Sequence, residues 1–185
     1  VKYMRDVELK VIRKYLYKGM KILDVGCGIG WSSWEIKRSH PSAFVLGIDL
    51  SSRMVEIANA LFKVKDLNFV VHDITKWDEI LEPPFDVIVL LDVYEHIPRK
   101  QRKKVHQVLN KALNERGTII LTYPSLLHQS FLRIHRPEGM QPIDEDVAIE
   151  DISKLASDVN GHILFYKHVS IWQANDLSLI HISEP

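Results

Sequence analysis

A glycine-rich stretch and a later aspartate carry the first sign of chemistry in this sequence. Residues 22–30 read ILDVGCGIG, in which Gly26, Gly28 and Gly30 alternate with other residues and Asp24 precedes them. Glycine permits close backbone approaches that a Cβ forbids, and a helix beginning after such a turn directs free amide groups at whatever lies over it. Asp49 ends the next apolar run. A carboxylate there can accept hydrogen bonds from both hydroxyls of a ribose. The pattern indicates a nucleotide-type ligand, although a tight turn and a helix cap explain each feature separately.

The glycine spacing separates two kinds of cofactor. A dinucleotide fingerprint requires the order G-x-G-x-x-G. Here the residue three positions after Gly28 is Trp31, so the third glycine is missing. The spacing therefore argues against a nicotinamide-dependent oxidoreductase, which remains an alternative because its fold would be the same.

Further polar residues follow two later apolar runs. Asp73 follows the third run in VHDI, where an Asx-type turn is the simple alternative to a ligand contact. The fourth run, FDVIVLLDVYEHIP, ends in Asp92, Glu95 and His96. Imidazole titrates at about pH 6.5, so His96 is the candidate base for proton transfer, and helix-terminal packing is the alternative.

The elements that must position these residues alternate regularly along the chain. Apolar runs rich in β-branched residues predict strands that are covered on both faces. Helical periodicity between the runs predicts right-handed crossovers and an α/β, Rossmann-like, doubly wound, mostly parallel sheet with helices on both faces. Ser51 or Ser52 is expected to cap one helix, and Pro98 to begin another. The predicted strands are 21–25, 43–50, 67–73, 85–93, 117–123 and 162–174, and the predicted helices are 5–17, 31–39, 52–64, 99–114 and 149–160.

Length and charge limit the possible classes of protein. The chain has 185 residues, enough for one domain with a substantial core. Its 24 basic and 24 acidic residues balance, so the chain has no net charge that would attract it to nucleic acid or to an anionic membrane surface. It has one cysteine, no apolar run long enough to cross a bilayer and no signal-peptide pattern, so a cytoplasmic location is expected.

The long connection and the two ends are harder to interpret. Residues 124–148 show no clear period and are expected to form a lid, a binding loop or a poorly ordered segment. The chain begins at Val1 rather than Met, which suggests a fragment or a trimmed chain. We expect a single domain over 1–176 and a doubtful tail over 177–185, which is either a substitute last strand or non-native sequence similar to a translated sequencing adapter. If the tail is non-native, the sheet is expected to be incomplete at its C-terminal strand.

The motifs together resemble those of the class I S-adenosylmethionine-dependent methyltransferases, over roughly residues 20–123. The strand-four motif is similar to that of the small-molecule methyltransferases of quinone biosynthesis. The resemblance implies S-adenosyl-L-methionine as cofactor and a small organic molecule as methyl acceptor, with oxygen slightly preferred as the methylated atom. The cofactor-binding residues that it implies are Asp24, Gly26, Cys27, Gly28, Gly30, Asp49, Leu50, Met54, Asp73, Ile74, Leu91 and Asp92.

The same resemblance assigns roles within this set. Leu50 and Met54 would enclose the adenine, Asp73 and Ile74 would read its edge, and the Leu91 or Asp92 carbonyl would accept from the methionine ammonium. His96 and Glu95 are the implied catalytic residues. Some relatives bind a divalent cation with an acid, two intervening residues and then Glu-His, a spacing that Asp92, Glu95 and His96 match. The Glu-His pair also occurs in relatives without metal, and no metal is predicted.

Two other features are interpreted as structural. The basic segment 98–106 is expected to be the solvated face of a helix. Cys27 is expected to fill space near the cofactor.

Tyr94 is expected to orient the acceptor or to line the adenosine pocket. A non-catalytic protein that binds S-adenosylmethionine remains a second alternative, and the oligomeric state is open.

Overall fold

The computed structural model describes Lys10 and residues 12–76 and 84–167. The strands are β1 (Lys21–Val25), β2 (Phe44–Asp49), β3 (Leu67–Val71), β4 (Phe85–Leu91) and β5 (Leu113–Thr122). The helices are α1 (Trp31–Ser39), α2 (Ser52–Leu61), α3 (Arg99–Ala112), α4 (Leu126–His135) and α5 (Ile149–Asp158). None of the helices in these ranges is long and apolar enough to cross a membrane.

The five strands form one open sheet in the order β3-β2-β1-β4-β5, and every pair is parallel. The chain builds outward from β1 to β3 and then returns to place β4 on the other side of β1. In sheets of this kind, ligands bind outside the carboxyl ends of the strands at the point where the order reverses. The edge beyond Val25 and Leu91 is therefore where a site is expected.

Alternation along the strands divides the core between the two faces of the sheet. Successive side chains of a strand point to opposite faces. In β4, Ile88 and Leu90 belong to a buried cluster with α3 and α5, whereas Val87 and Val89 belong to a second cluster with α1 and α2. The predicted doubly wound fold with helices on both faces is thus confirmed.

Helix capping agrees with the sequence where a polar side chain is available. Ser51 caps α2, because its hydroxyl accepts a hydrogen bond from the backbone N–H of Met54. Ser125 caps α4 in the same way by accepting from the N–H of His128. Pro98 takes the N-cap position of α3, one residue earlier than the first helical position that was expected.

Several predicted bounds were wrong. Helix α3, predicted over 99–114, ends at Ala112. Strand β5 begins at Leu113 rather than 117, because it pairs with β4 from Phe85 onward. The connection 124–148 contains the helix α4, which the sequence analysis missed. Residues 161–167 form no strand, so the predicted strand 162–174 is wrong over its described part. Its remainder, the tail 177–185 and residues 5–9 and 11 of the predicted helix 5–17 lie outside the described residues. Of the rest of that predicted helix, Lys10 and residues 12–13 are helical and residues 14–17 are not.

The basic helix α3 is not solvated throughout. Arg102 and His106 are buried, although Lys100, Lys103 and Lys104 are exposed as expected. The Tyr94 hydroxyl lies 2.8 Å from His106 Nε2, and the Arg102 guanidinium lies 4.7 Å from the centre of the Tyr94 ring. Tyr94 therefore anchors the turn after β4 to α3, and the prediction that it contacts a ligand was wrong because its hydroxyl is already engaged in the core.

Candidate functional site

The glycine turn after β1 stays hydrogen-bonded to the end of the neighbouring strand β2. The backbone N–H groups of Gly26 and Cys27 both donate to the Ile48 carbonyl, at 2.8 and 3.0 Å. Gly30 has φ 82° and caps α1. A Cβ at Gly30 would lie 2.6 Å from the Phe69 ring, so the turn sits directly on that ring. Glycine is therefore needed at this position both for its torsion and for its lack of a side chain.

Asp49 is held in place at the end of β2 by two backbone groups. Its Oδ2 accepts from the N–H of Gly28 at 2.8 Å, and its Oδ1 accepts from the N–H of Ser51 at 2.9 Å. A carboxylate has about four acceptor sites, so these two bonds leave lone pairs for further donors. The carboxylate thus links the glycine turn to the start of α2 and is pre-oriented there.

Two apolar side chains beside Asp49 are unusually exposed. Leu50 is 71% exposed and Met54 is 40% exposed. Leu50 follows Asp49 directly, and Met54 lies in the first turn of α2, where its N–H donates to the Ser51 hydroxyl. An apolar pair beside a fixed carboxylate offers a contact surface for the flat base and the ribose of a nucleoside.

Asp24 has a role that the sequence analysis did not foresee. It is 1% exposed, and its Oδ2 accepts hydrogen bonds from the hydroxyls of Ser32 and Ser33, each at 2.6 Å. Burial raises the pKa of Asp24 above its ordinary value, although these hydrogen bonds oppose the shift. Asp24 thus joins the end of β1 to the first turn of α1. The pair of serines following the glycines was the signal for this contact.

Cys27 lies in the turn as a packing residue. It is buried, and its Sγ would lie 2.9 Å from a Cβ placed on Gly47 of the neighbouring strand. Burial raises the pKa of its thiol far above the ordinary value, which keeps it protonated. The geometry agrees with a space-filling role and gives no support for a nucleophile.

The end of β3 is a compact turn. Asp73 Oδ1 accepts from the N–H and the hydroxyl of Thr75, at 2.9 and 2.6 Å, and its Oδ2 lies 3.3 Å from Lys76 Nζ. Partial burial would raise the pKa of Asp73, but the contacts with Thr75 and Lys76 outweigh it and hold the pKa below its ordinary value. Ile74 is buried beneath this turn. The structure thus gives Asp73 an Asx-type turn, which the sequence analysis held open beside a ligand contact.

Asp92 stands at the end of β4 in a left-handed backbone conformation, with φ 52°. Its N–H donates to Thr122 at the end of β5, and the Thr122 hydroxyl donates to Asp92 Oδ1 at 3.1 Å. Burial raises the pKa of Asp92, while Thr122, His96 and His128 oppose the shift. Leu91 and Asp92 both line the cavity described below.

Glu95 and His96 follow Asp92 in a short 3₁₀ turn, Tyr94–His96. Glu95 is 2% exposed, and its Oε2 has no hydrogen-bond partner within the described part of the chain. Burial raises the pKa of Glu95 to about 8, and the nearby carboxylates Asp92 and Asp144 add to the shift. Glu95 is therefore a buried carboxyl group that titrates close to neutral pH.

The imidazole of His96 is engaged on both sides by the connection after α4. Its Nδ1 lies 2.8 Å from the Ile143 carbonyl, and its Nε2 lies 3.0 Å from the Gln141 amide nitrogen. Because the carbonyl can only accept, Nδ1 carries the proton and Nε2 accepts from Gln141. The backbone N–H of Glu145 also donates to the Glu95 carbonyl. The connection thus docks on the turn that carries both predicted catalytic residues.

A cavity of about 1190 Å³ runs along β5 and opens beside this turn. Its polar end is lined by Asp92, Glu95, His96, His128, Gln129, Gln141 and Asp144. No group of three or more His, Cys, Asp or Glu side chains in the described ranges has the geometry of a metal site. The site therefore consists of the glycine turn with Asp49 on one side of the β1–β4 switch point and this cavity on the other.

The predicted residues fall into three groups. One group, around the glycine turn and Asp49, gathers at the carboxyl ends of β1 and β2, the second gathers at the end of β4, and Asp73 and Ile74 lie apart at the end of the edge strand β3. Gln129 and Asp144 were missed, because both belong to the connection whose helix was not predicted. The Ser125 cap three residues before His128 was the one sequence signal for that helix.

Comparisons with known proteins agree with this architecture. A methyltransferase domain family model matches residues 22–117. The chain is 36% identical over 105 residues to the ubiquinone biosynthesis O-methyltransferase of Coxiella burnetii. The aligned region covers 54% of this chain and 42% of that protein. It is 32% identical over 143 residues to the malonyl-[acyl-carrier protein] O-methyltransferase of Halalkalibacterium halodurans, covering 72% and 51%. The chain spans about half the length of the curated relatives it matches.

Solved structures share the fold. Phosphoethanolamine N-methyltransferase 2 of Haemonchus contortus, in complex with S-adenosyl-L-methionine, superposes with a TM-score of 0.65 at 20% identity, covering 83% of this chain and 36% of that one. A TehB-like S-adenosylmethionine-dependent methyltransferase of Corynebacterium glutamicum gives 0.57 at 24% identity, covering 76% and 80%. The family match covers more than half of the sequence, so this chain belongs to the family of S-adenosylmethionine-dependent methyltransferase domains.

Proposed function

We propose that the chain transfers a methyl group from S-adenosyl-L-methionine to an oxygen atom of a small organic acceptor. The observation that carries the proposal is the pre-oriented carboxylate of Asp49, fixed by Gly28 and Ser51 beside the exposed side chains of Leu50 and Met54. The curated relatives named above are O-methyltransferases, which favours oxygen as the methylated atom.

The residues around the glycine turn suit the cofactor. Lone pairs left on Asp49 can accept from the ribose hydroxyls, and Leu50 and Met54 can cover the base. The turn from Gly26 to Gly30 leaves room for the methionine part, because three of its five residues are glycines and only Cys27 and Ile29 carry side chains. Asp73 and Ile74 would contribute their turn backbone, since the Asp73 side chain already accepts from Thr75.

Methyl transfer places few chemical demands on the protein. The sulfonium of S-adenosylmethionine supplies an already activated methyl group. The chain must therefore hold the acceptor in line and exclude water, which the cavity beside Asp92 is suited to do. When a hydroxyl oxygen gains the methyl group it must lose its proton, and that proton needs an acceptor in the site.

We infer that Glu95, rather than His96, takes this proton. Both nitrogens of His96 are engaged, by Ile143 and Gln141. Glu95 Oε2, in contrast, has no partner in the described part of the chain. Only the ionised form of Glu95 can take the proton, and with a pKa of about 8 that form is a strong base whose fraction grows as the pH rises toward 8. His96 then serves to hold the connection over the cavity.

The test is methyl transfer from labelled S-adenosylmethionine to a panel of phenols, alcohols, amines, thiols and carboxylates. The proposal predicts O-methylated product and formation of S-adenosylhomocysteine in equal amounts. Glu95→Gln is expected to lower kcat by about a hundredfold with less effect on KM, because it removes the base but keeps the shape. Glu150→Gln, an exposed change of the same kind in α5, is the control.

Other outcomes would identify the alternatives. Cofactor binding with no product from any class of acceptor would favour a non-catalytic protein that binds S-adenosylmethionine. Product on nitrogen or sulfur alone would overturn the assignment to oxygen. A kcat for Glu95→Gln equal to that of the unchanged chain would overturn the role of Glu95.

A further inference from the structure

Gln129, on the helix that the sequence analysis missed, is a buried polar side chain in the cavity wall. It is 1% exposed and lies in the second turn of α4. Its Nε2 donates to Asp144 Oδ1 at 3.0 Å. Because a carboxylate can only accept, this bond fixes which end of the amide is nitrogen and which is oxygen.

The amide oxygen of Gln129 accepts no hydrogen bond from the described part of the chain. Gln129 Oε1 is buried and has no hydrogen-bond partner within the described part of the chain. Buried polar atoms are normally paired, so an unpaired acceptor in a cavity wall calls for a donor from elsewhere. Gln129 Oε1 can only accept a hydrogen bond, and Asp144 prevents the amide from turning to present its nitrogen instead.

A second unpaired side-chain oxygen lies in the wall of the same cavity, and it is purely an acceptor when Glu95 is ionised. Glu95 Oε2 is also buried and without a partner, and Asp144 is among the charges that act on Glu95. Asp144 therefore neighbours both side chains. The two unpaired oxygens belong to different elements, α4 and the turn after β4, which the connection 140–147 joins.

The charge of this end of the cavity excludes one class of ligand. Asp92 and Asp144 are acidic, and the basic groups that act on Asp92 are the imidazoles of His96 and His128. Arg102 acts on Glu95 but lies over the Tyr94 ring beside Asp151, outside the lining of the cavity. Lysines line the cavity only from other segments, at Lys10, Lys14 and Lys167, within the described residues. A carboxylate on a ligand would meet acceptors and like charge here, whereas a hydroxyl or an ammonium group would meet partners.

We propose that Gln129, oriented by Asp144 and lying in the same cavity wall as Glu95, forms an acceptor subsite that binds a hydrogen-bond-donating group of the methyl acceptor, a hydroxyl or an amine, and rejects carboxylates. This inference rests on the proposed function, because it names the acceptor class for the same cavity. Both oxygens are covered in the unliganded chain. A bound group reaches them by displacing neighbouring side chains of the cavity wall.

The test uses three probes with one carbon skeleton: 3-phenylpropylamine, 3-phenylpropan-1-ol and 3-phenylpropanoate. Each is titrated into the full chain saturated with S-adenosylhomocysteine, with binding followed by ligand-detected NMR. The amine and the alcohol are expected to bind about tenfold or more tightly than the propanoate, since a site built for donors rejects a group that leaves its acceptors unpaired. Saturation with S-adenosylhomocysteine fills the cofactor site, so the amine probe cannot bind in place of the cofactor's own ammonium group.

Two variants connect the ranking to the side chain. Gln129→Met keeps the size but removes the acceptor, and it is expected to weaken the amine and the alcohol about fivefold while S-adenosylhomocysteine affinity stays within about twofold. Leu127→Ala, an exposed change on the same helix outside the cavity lining, is the matched control and is expected to alter neither.

The failures are distinguishable. If the unchanged chain does not bind S-adenosylhomocysteine, the proposed function itself fails. If it binds the cofactor product, the subsite is overturned by propanoate binding as tightly as the alcohol, by none of the three probes binding, or by Gln129→Met leaving their affinities unchanged. Should Gln129→Met not fold, the ranking of the three probes on the unchanged chain decides the proposal.

Discussion

Single side chains in the site are tied down by hydrogen bonds that no sequence pattern displays. The types of Asp24, Asp49 and Asp73 at strand ends were readable from the sequence, because each follows an apolar run. Their partners were not. Asp24 binds two serine hydroxyls, Asp49 binds two backbone N–H groups and Asp73 closes its own turn. The sequence therefore indicated where carboxylates gather, whereas which of them keeps free lone pairs depends on packing.

Glu95 gives the clearest prediction at the residue scale. Its pKa is raised by burial to about 8, so the folded chain holds the proton more tightly than the unfolded chain. The stabilisation is fully present below the pKa of the unfolded carboxyl, about 4.3, and is lost as the pH rises through about 8. The free energy of unfolding is expected to fall across this range, and to fall less in Glu95→Gln.

The measurement is urea denaturation of both proteins at a series of pH values between 4.5 and 9. Glu150→Gln serves as the control, because Glu150 is exposed at the start of α5. Parallel pH profiles for Glu95→Gln and the unchanged chain would show that Glu95 is ionised in the folded state.

At the scale of elements, strands β1 to β4 and helices α1 to α3 could be predicted because their patterns are unbroken. The apolar runs are bounded by glycine or polar residues, and β4 alternates between two cores. Helix α4 could not, because its apolar positions leave Leu126, Leu127 and Ile134 exposed and so show no buried stripe. Strand β5 begins earlier than predicted because pairing with β4, a tertiary contact, overrides the poor strand propensity of its first residues.

The turn between β1 and α1 is predicted to be intolerant of a side chain at Gly30. Gly30→Ala places a Cβ 2.6 Å from the Phe69 ring and 3.0 Å from the Ala58 Cβ, at φ 82°. We expect a loss of about 1–3 kcal/mol in the free energy of unfolding. Chemical denaturation measures it, with Gly139→Ala as control because nothing lies within 4 Å of a Cβ there. Equal losses in both variants would contradict the packing described for the turn.

The turn after β4 is predicted to depend on its buried link to helices α3 and α5. Tyr94 bonds His106 Nε2, and His106 Nδ1 bonds Asp158 Oδ2 at 2.7 Å. Tyr94→Phe leaves the buried imidazole nitrogen without its partner, which is expected to cost about 1–3 kcal/mol of stability.

Thermal and urea denaturation of Tyr94→Phe measure this cost. Tyr17→Phe is the matched control, since Tyr17 is exposed. A stability for Tyr94→Phe equal to that of the control would mean that the hydroxyl contributes nothing to anchoring the turn.

At the scale of the whole molecule, the order β3-β2-β1-β4-β5 brings the two halves of the site together. The glycine turn and Asp49 lie on one side of the switch point, and Asp92 and Glu95 lie on the other. The alternation of strands and helices predicted this arrangement, because parallel strands put all their carboxyl ends at one edge. The polar end of the cavity, where we propose that the methyl acceptor binds, could not be predicted from the sequence, because part of its wall comes from the connection 124–148, which shows no clear period.

In the proposed function, the glycine turn and Asp49 bind the nucleoside part of S-adenosylmethionine. Isothermal titration with S-adenosylhomocysteine tests this binding most directly, with NADH as the comparison ligand and with the variants Asp49→Asn and Asp66→Asn. Asp66→Asn makes the same chemical change in an exposed turn whose positive φ of 60° asparagine accepts.

We expect saturable binding of S-adenosylhomocysteine and no binding of NADH. Asp49→Asn should weaken binding about tenfold or more, because a charged acceptor is lost, while Asp66→Asn should leave it unchanged. Binding of NADH, binding of neither ligand by the folded chain, or equal affinity in Asp49→Asn and the unchanged chain would contradict the proposal.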